Sequence, residues 1–326
     1  MKHIFGPVNS RRLGRSLGID ILPRKICNFD CIYCEVGPTT QLVCERKEYV
    51  PTKSIIAEAE EYFADPDVAA RIDVVTVTAS GEPTLHAGLG EIIRFLKKKT
   101  GKPVAVLING TNSWDKDVAQ ALSQVDVVVP SLDAVLPESF RKLNRPAQCV
   151  DLDKMINGLV QFSNDFDGEL WLEILLAKGI NDSARDIEAL TDVIRRMKIS
   201  RVQLNTVARP PHEDFALPVD QDRLREIAEQ LSAVSGVPQV EIITYGMNVF
   251  EEGREIEVQK PYFSTRTEEE LIDEIVQMLQ RRPCTAADIS RTFFVGSPEK
   301  VEQLLDPLVR KGAIEKRHHG DKIFYH

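Results

Sequence analysis

Short apolar runs alternate with amphipathic stretches over residues 17–245 of this chain. The runs are rich in β-branched residues, as strands are, and the stretches between them repeat their apolar residues at helical spacing. Six or seven strands are predicted, at residues 17–22, 72–78, 104–108, 126–130, 170–176, 202–206 and, for a short last strand, 240–244. The alternation predicts an α/β fold whose repeated βα units form a parallel sheet.

Two of the intervening helices have clear boundaries and a single apolar face. Gly101 and Pro103 end the first helix, and Ser183 caps the second. The apolar residues are Leu89, Ile92, Ile93 and Leu96 in the first helix and Ile187, Leu190, Ile194 and Met197 in the second. This periodicity suits a barrel and an open, doubly wound sheet equally, so it leaves both architectures open.

The βα pattern ends near residue 250, and a charged linker at residues 251–266 is predicted to precede a domain at residues 267–326. Thr267 and Glu270 form a capping box that opens an amphipathic helix. The remaining elements are a helix at 285–292, a third helix after Ser297 and Pro298, and two strands around Gly320-Asp321. Three helices and a terminal hairpin predict a winged helix-turn-helix domain.

Composition and charge exclude several classes of protein. The 326 residues are 43% hydrophobic and 28% charged, as in ordinary globular proteins, and the longest apolar runs are strand-sized, so no membrane span is predicted. The first residues lack the features of a secretory signal, which predicts a reducing, cytoplasmic location. A net charge of -9 argues against a broadly basic nucleic-acid surface, although it allows a local basic patch.

Three of the six cysteines lie within eight residues of one another, at Cys27, Cys31 and Cys34. In a reducing compartment this spacing indicates metal binding rather than a disulfide framework. Soft thiolates suit iron–sulfur clusters, and three ligands to a four-iron cube leave one iron open to a further ligand. The alternatives are unligated cysteines or a structural zinc site, which normally needs four ligands; His86 is the nearest candidate for a fourth.

The run Cys-x-x-x-Cys-x-aromatic-Cys, which follows the first predicted strand, resembles the radical S-adenosylmethionine (radical SAM) superfamily. The resemblance implies a [4Fe-4S] cluster on Cys27, Cys31 and Cys34, S-adenosyl-L-methionine (SAM) as second cofactor, and Tyr33 against the adenine of SAM. It also implies a partial (βα)6 TIM-like barrel with its active site at the carboxyl ends of the strands. The expected architecture is therefore a radical SAM barrel at residues 1–250 followed by the winged-helix domain.

A second motif, Ser80-Gly81-Glu82-Pro83, follows the second predicted strand and is similar to the family's Gly-Gly-Glu segment, which binds the methionine amino group. The resemblance implies that these four residues bind the cofactor. Gly81 would allow close backbone approach, and Glu82 would offer a carboxylate to an ammonium group.

Polar residues at the ends of other strands are further candidates for binding cofactor or substrate, because such side chains converge on the mouth of a barrel. They are Asn109, Ser131, Asp133, Glu173, Asn205 and Arg209. Asn205 and Ser131 are preferred, and the alternative for each residue is an ordinary hydrogen-bonded position.

Residues 5–20, FGPVNSRRLGRSLGID, resemble a branch of iron–sulfur oxidoreductases related to the tRNA wyosine synthases, as do SGEPTL and Gln203-Leu-Asn-Thr. Those synthases modify a guanosine in tRNA and carry upstream cysteines for a second cluster, whereas this chain has none before Cys27. A second cluster would need Cys44, Cys149 and Cys284 to converge by folding, and Cys44 is interpreted as a core or loop cysteine. The wyosine reaction is therefore not expected, while RNA stays a candidate substrate.

Five cations are predicted near the mouth of the barrel, where they would suit a phosphate-bearing or other anionic substrate. They are Arg11, Arg12, Arg15, Arg24 and Lys25. The alternative is a solvated, charged surface.

The predicted winged-helix domain lacks the charge of a DNA reader. If Val301, Leu304, Leu305 and Leu308 face the core, the exposed side of the third helix carries Glu299, Glu302 and Asp306, which would repel phosphates. The basic edge of the wing consists of Arg310, Lys311, Lys316, Arg317, His318 and His319. We expect substrate docking or a protein interaction, with RNA or an acidic protein as partner of the wing, and no sequence-specific DNA binding.

The leading hypothesis is an oxygen-sensitive radical SAM oxidoreductase or transferase. It would cleave SAM reductively to a 5′-deoxyadenosyl radical that abstracts hydrogen from a substrate such as RNA, with flavodoxin or ferredoxin as reductant. One alternative is an activase of a glycyl-radical enzyme, which acts on a protein. Another is an iron–sulfur redox-sensing transcriptional regulator, which predicts operator binding and no need for Gly81 and Glu82.

Overall fold

The computed structural model describes residues 2–10, 12–234, 237, 239–243, 267–293 and 295–326. The chain divides into two compact units, residues 1–207 with 211–242 and residues 208–210 with 243–326. The predicted linker at 251–266 and the end of the last predicted strand lie outside the described residues. None of the helices in the described ranges combines the length and apolarity that crossing a membrane requires.

Parallel strands dominate the first unit. The strands are β1 (Ile4–Ser10), β2 (Gly14–Asp20), β3 (Ile26–Cys27), β4 (Gln41–Leu42), β5 (Val74–Thr78), β6 (Val104–Ile108), β7 (Val127–Pro130), β8 (Glu169–Leu176), β9 (Arg201–Thr206) and β10 (Val240–Ile242). Eight of these form one sheet in the order β1-β2-β5-β6-β7-β8-β9-β10, and β3 pairs with β4. Each neighbouring pair from β2 to β10 is parallel, whereas β1 is antiparallel to β2.

Helices connect the parallel strands. They are α1 (Thr52–Tyr62), α2 (Pro66–Ala70), α3 (Leu89–Thr100), α4 (Lys116–Leu122), α5 (Pro137–Asn144), α6 (Leu152–Asp165), α7 (Ala184–Ile194) and α8 (Gln221–Ser232). The predicted end of α3 and the predicted cap of α7 are confirmed, whereas Met197 lies beyond the end of α7. Gly101 ends α3 with a left-handed φ of 61°, and the Ser183 side chain caps α7 by accepting the N–H of Asp186.

The parallel strands follow one another in the sheet in the same order as in the chain. A doubly wound sheet reverses its strand order at a switch point, and the described strands show no such reversal. Successive βα units of one hand instead curl a sheet towards a barrel. The predicted α/β class with a mostly parallel sheet is therefore confirmed, and the topology fits a partial barrel.

The two faces of this sheet are packed differently. Leu170, Leu172 and Ile174 of β8 belong to the main hydrophobic core, which includes the apolar faces of the helices. On the opposite face the buried apolar cluster is small and consists of Val74, Ala105, Val127, Val129 and Trp171. Along β8, Glu173 follows Trp171 on this face, since alternate residues of a strand share a face. The inner face thus becomes polar towards the carboxyl ends of the strands.

The sequence pattern does not predict β1. Its sequence contains Gly6 and Pro7 and lacks a run of β-branched residues. The strand forms by pairing with β2, with Ile4 opposite Ile19. Its existence therefore depends on a partner strand rather than on local propensity.

The described part of the second unit contains three helices and a small sheet. The elements are α9 (Glu268–Leu279), β11 (Cys284–Thr285), α10 (Ala286–Phe293), α11 (Pro298–Arg310), β12 (Lys316–His319) and β13 (Lys322–Tyr325). The strand order is β11-β13-β12. In α11, Val301 and Leu305 are buried while Glu299 and Glu302 are exposed, as predicted, whereas Leu304, Asp306 and Leu308 are half-buried. The side chain of Glu270 in the predicted capping box lies outside the described residues.

Candidate functional site

The three clustered cysteines lie in the loop that follows β2, at the carboxyl end of the parallel strands. Cys27 is only 9% exposed. Its carbonyl oxygen accepts the backbone N–H of Val43 at 2.9 Å, and the N–H of Ile32 donates to the carbonyl of Leu143 at 3.0 Å. The loop is therefore anchored beside β4 at one end and on α5 at the other.

Two of the cysteine sulfurs accept hydrogen bonds from distant or buried side chains. Nζ of Lys25 lies 3.1 Å from Sγ of Cys34. Nδ2 of Asn144 lies 3.5 Å from Sγ of Cys31. Donors of this kind stabilise thiolates and tune the clusters that thiolates bind.

The sulfur of Cys27 lies close to a backbone donor, that of Phe29, and to the side-chain amide of Asn109. Sγ of Cys27 accepts the backbone N–H of Phe29 at 3.4 Å and lies 3.8 Å from Nδ2 of Asn109. The same Nδ2 donates to Oδ1 of Asn28 at 2.6 Å, and Nδ2 of Asn28 donates to Oγ1 of Thr111 at 2.7 Å. The predicted cofactor residue Asn109 therefore lies beside a cluster cysteine, together with Asn28, which sequence analysis missed.

Burial favours the protonated form of Cys27 and Cys31. It raises the pKa of Cys27 to about 12, with a further contribution from Glu82. It also raises the pKa of Cys31 well above its usual range, with contributions from Cys34 and Cys27. Burial alone would lower the pKa of Lys25, but Cys34 and the other two cysteines outweigh it and raise that pKa. A metal that binds Cys27 and Cys31 would therefore have to displace their protons.

The donor set fits an iron–sulfur cube. Within the described ranges, no three His, Cys, Asp or Glu side chains meet closely enough to hold a single metal ion. A four-iron cube has a different requirement, because each thiolate binds a different iron. His86, the candidate for a fourth zinc ligand, uses both ring nitrogens elsewhere. Its Nδ1 accepts the N–H of Gly88 at 3.0 Å, and its Nε2 donates to the carbonyl of Val50 at 2.9 Å.

The side chain of Tyr33 is hydrogen-bonded to Asp133, which lies shortly after the end of β7. Its Oη donates to Oδ2 of Asp133 at 2.5 Å. Nδ2 of Asn144 donates to the same oxygen, and the N–H of Leu175 donates to Oδ1, both at 2.9 Å. Burial raises the pKa of Asp133, although these hydrogen bonds act in the opposite direction. Asp133 thereby connects the cysteine loop, α5 and β8. Asn144 was not a candidate site residue in the sequence, and only the structure reveals its contact with Asp133.

The segment at residues 80–83 closes against the start of the cysteine loop. A Cβ atom on Gly81 would lie 1.8 Å from the carbonyl oxygen of Ile26, so the backbones approach too closely for any other residue. Oγ of Ser80 donates to Oδ2 of Asp20 at 2.6 Å. Pro83 begins a short 3-10 helix, Pro83–Leu85. The segment therefore supports the backbone that carries Cys27.

The carboxylate of Glu82 is buried and already hydrogen-bonded. Its Oε1 accepts hydrogen bonds from the N–H and the Oγ1 hydroxyl of Thr84, at 2.9 and 2.6 Å. Its Oε2 accepts a hydrogen bond from the N–H of Asn109 at 2.7 Å. Burial outweighs these bonds and raises the pKa of Glu82 to about 7. A methionine ammonium group would have to share Oε2 with Asn109.

Ser131 and Asn205 both contact Glu173 in β8, Ser131 through its backbone and Asn205 through its side chain. Ser131 forms a parallel backbone bridge with Glu173, and Nδ2 of Asn205 donates to Oε1 of Glu173. Nη1 of Arg12 donates to the same Oε1 and to Oε1 of Gln203, both at 3.0 Å. The structure thus brings these strand-end residues together inside the sheet, while their contact with a cofactor stays a prediction.

The prediction that five cations surround the mouth is wrong for Arg15, which lies at the amino-terminal end of β2, because the hairpin between β1 and β2 turns there. The backbone of Arg12 lies in the same turn, but its guanidinium reaches Glu173, the carboxylate that Asn205 also bonds. Nη2 of Arg15 forms an ion pair with Asp73 at 2.7 Å, just before β5. Of the other three, Arg24 and Lys25 follow β2 in the cysteine loop, and Arg11 lies outside the described residues.

Cys44 and Cys149 form a disulfide, across 105 residues of sequence. The interpretation of Cys44 as a simple core or loop cysteine is therefore wrong, and neither sulfur is free to bind a second cluster. Cys44 follows β4, while Ala147, close to Cys149, donates its N–H to the carbonyl of Asn28 at 2.9 Å. The bridge thus joins two segments that flank the cysteine loop. Cys284 of the second unit is buried and is not part of a disulfide.

A family model described as the Radical SAM superfamily matches residues 21–190, just over half of the chain, including the three cysteines and the segment at 80–83. The chain belongs to the Radical SAM superfamily. Its radical SAM segment runs from the end of β2 into α7 and so carries most of the groups described above. The resemblance noted in the sequence is thereby confirmed.

Relatives extend the similarity beyond the radical SAM segment. The UPF0026 protein of Helicobacter pylori is 33% identical over 310 residues, covering 93% of this chain and 92% of that protein. A Brachyspira hyodysenteriae protein named GTPase Obg is 32% identical over 319 residues, which cover 97% of this chain but only 44% of that protein. This radical SAM chain therefore spans less than half of that relative's length.

A solved structure shares the fold. A radical SAM methyltransferase from Sphaerobacter thermophilus is similar, with a TM-score of 0.53 and 18% sequence identity, over 70% of this chain and 66% of that one. At this identity the similarity shows a common fold only.

Proposed function

We propose that this chain is a radical SAM enzyme that holds a [4Fe-4S] cluster on Cys27, Cys31 and Cys34 and cleaves SAM reductively. When bound, the cluster supplies one electron to SAM, which yields methionine and a 5′-deoxyadenosyl radical that abstracts a substrate hydrogen. The observation that carries the proposal is a loop of three cysteines, each with an N–H donor, at the carboxyl end of a parallel sheet. Active sites of barrel enzymes lie at that end.

Groups around the cysteines are assigned to SAM. Tyr33 would lie against the adenine, and its hydrogen bond to Asp133 fixes the ring for that contact. Gly81 and Glu82 would bind the methionine part, with the close approach of Gly81 to Ile26 keeping this segment beside the cysteines. The remaining assigned residues are Ser80, Pro83, Asn109, Ser131 and Asn205.

The proposed architecture is a partial (βα)6 barrel at residues 1–250, a linker at 251–266 and a winged-helix domain at 267–326. Sequential strand order supports the barrel, and three helices with a sheet of order β11-β13-β12 support the winged helix. The exposed acidic residues of α11 favour substrate or protein docking over DNA reading. We place the enzyme in the cytoplasm, with flavodoxin or ferredoxin as its reductant.

Anaerobic reconstitution with iron and sulfide, followed by SAM and dithionite, tests the proposal. Wild-type protein should produce 5′-deoxyadenosine, and Cys31→Ala should not. Cys284→Ser is the matched control, because Cys284 is a buried cysteine outside both the motif and the disulfide, and it should behave as the wild type. Stoichiometric zinc without iron after reconstitution, or a cluster-loaded protein that forms no 5′-deoxyadenosine, would overturn the proposal.

The substrate class is tested in cells. Modified nucleosides and metabolites are compared, without preselection, between a wild-type strain and a strain carrying Cys31→Ala. A nucleoside lost from the variant's RNA supports RNA as substrate. Unchanged RNA, together with capture of a glycyl-radical enzyme by the protein, supports the activase instead.

A further inference from the structure

Lys25 has a backbone conformation that lysine rarely adopts. Its φ of 58° lies in the left-handed region, where glycine and asparagine cost less than other residues. Its N–H donates to the carbonyl of Ser80 at 2.5 Å, and its carbonyl accepts the N–H groups of Thr40 and Gln41, each at 3.1 Å. The neighbouring segments therefore hold the residue in place, and strain of this kind points to a role for the side chain.

The side chain of Lys25 is directed at a cluster cysteine. The residue is 4% exposed, and its Nζ lies 3.1 Å from Sγ of Cys34. A buried cation is costly unless opposite charge compensates it, and cysteines that bind iron as thiolates would provide that charge.

We propose that Lys25 sets the reduction potential of the cluster held by Cys27, Cys31 and Cys34, an inference that rests on the proposed function above. The reduced cluster carries one more negative charge than the oxidised cluster. A fixed cation beside a ligand sulfur therefore stabilises the reduced form more, and net charge and hydrogen bonds to sulfur are known determinants of cluster potentials. Lys25 is thus a positioning residue that acts through Cys34 and favours electron entry from the reductant.

The test is an anaerobic redox titration of the reconstituted full-length chain, followed by electron paramagnetic resonance with dithionite as reductant. Lys25→Met removes the charge and keeps a long side chain. At a fixed potential its ratio of reduced to oxidised cluster should fall by about tenfold, which is about 59 mV for a one-electron couple. Lys25→Arg keeps the charge and should titrate close to the wild type.

Arg24→Met is the matched control for net charge. Arg24 is the neighbouring residue, but it is exposed, and its Nη2 donates to the carbonyl of Val36 at 3.2 Å. This variant should keep the wild-type midpoint, because solvent screens an exposed cation. A shift as large as that of Lys25→Met would overturn the assignment to Lys25.

A Lys25→Met cluster with the wild-type midpoint would also overturn the inference, whether or not the variant cleaves SAM. If that variant retains no cluster, Lys25→Gln provides the comparison, since it keeps an N–H donor without charge. A wild-type midpoint in Lys25→Gln would overturn the inference equally, and a lowered one supports it. Wild-type protein that shows no cluster signal after reconstitution would instead contradict the proposed function, so the two failures are distinguishable.

Discussion

Oη of Tyr33 donates a hydrogen bond to Oδ2 of Asp133 at 2.5 Å, across 100 residues of sequence. The same carboxylate accepts from Asn144 and from the N–H of Leu175. One buried side chain therefore fixes a residue of the cysteine loop relative to α5 and β8. Because Tyr33 is the residue assigned to the adenine of SAM, Asp133 positions a predicted cofactor contact.

Replacement of Asp133 by alanine should destabilise the first unit by about 3 kcal/mol, since it leaves three buried donors without their acceptor. Tyr33→Phe removes only one of these hydrogen bonds and should cost about 1 kcal/mol. Anaerobic urea denaturation of the metal-free proteins measures both. Equal losses in the two variants would show that Asp133 does not act as the shared acceptor.

The stability of the metal-free protein should depend on the protonation of Glu82. Burial raises the pKa of Glu82 to about 7 from an ordinary 4.5, so the folded state binds this proton more tightly than the unfolded state. The free energy of unfolding contributed by this group should therefore fall as the pH rises from 4.5 to about 7. Glu82→Gln should flatten that part of the profile in denaturant titrations at several pH values.

The control for this profile is Glu188→Gln, which changes an exposed glutamate of α7. It should keep the wild-type dependence on pH. If Glu82→Gln also kept the wild-type dependence of stability on pH, the burial of Glu82 could not be the cause of that dependence.

Gly81→Ala should disturb the cysteine loop directly. The added methyl group would meet the carbonyl oxygen of Ile26 at 1.8 Å, and relief of that overlap must move the backbone next to Cys27. We expect a loss of about 1–3 kcal/mol in stability, as for other overpacked sites, and lower iron content after reconstitution. Gly90→Ala in α3 is the control, because its nearest neighbour is a side-chain carbon at 3.3 Å. Equal iron in both variants would contradict the close approach of Gly81.

The Cys44–Cys149 bridge should stabilise the protein in oxidising buffer. The double variant Cys44→Ser, Cys149→Ser should lose about 2–4 kcal/mol in the free energy of unfolding, because the bridge closes a long loop in the unfolded chain. In dithiothreitol the wild type should lose the same advantage, while Cys284→Ser should retain it in oxidising buffer. A difference between wild type and double variant that persists under full reduction would point to packing instead of the bridge.

Several parts of the fold were predictable because they depend on neighbours in sequence. The strand predicted at 104–108 is β6, and Ser183 caps α7 as expected. A strand that is buried on both faces leaves a continuous apolar run, as β6 does, and caps act within one helical turn, so both leave local patterns. The parallel class of the sheet follows from the repetition of such units.

Other parts depended on which segments meet in space. β1 exists through its pairing with β2, and the hairpin between them carries Arg15 away from the cysteines. The spacing of Cys44 and Cys149 gave no indication of their bond. Local composition could not reveal these partners, because each contact joins segments whose approach is decided by the packing of the whole sheet.

The sequence by itself determined that three thiols lie close together after the first parallel strand, in a spacing that resembles the Radical SAM superfamily, to which the family-model match assigns the chain. Only the tertiary structure decided what surrounds those thiols, namely Asn144 at Cys31, Asp133 at Tyr33 and the buried ammonium of Lys25 at Cys34. The physical reason is that ligand spacing is a property of a short stretch of chain. Hydrogen bonds between residues about 100 positions apart instead require the complete fold to bring donor and acceptor together.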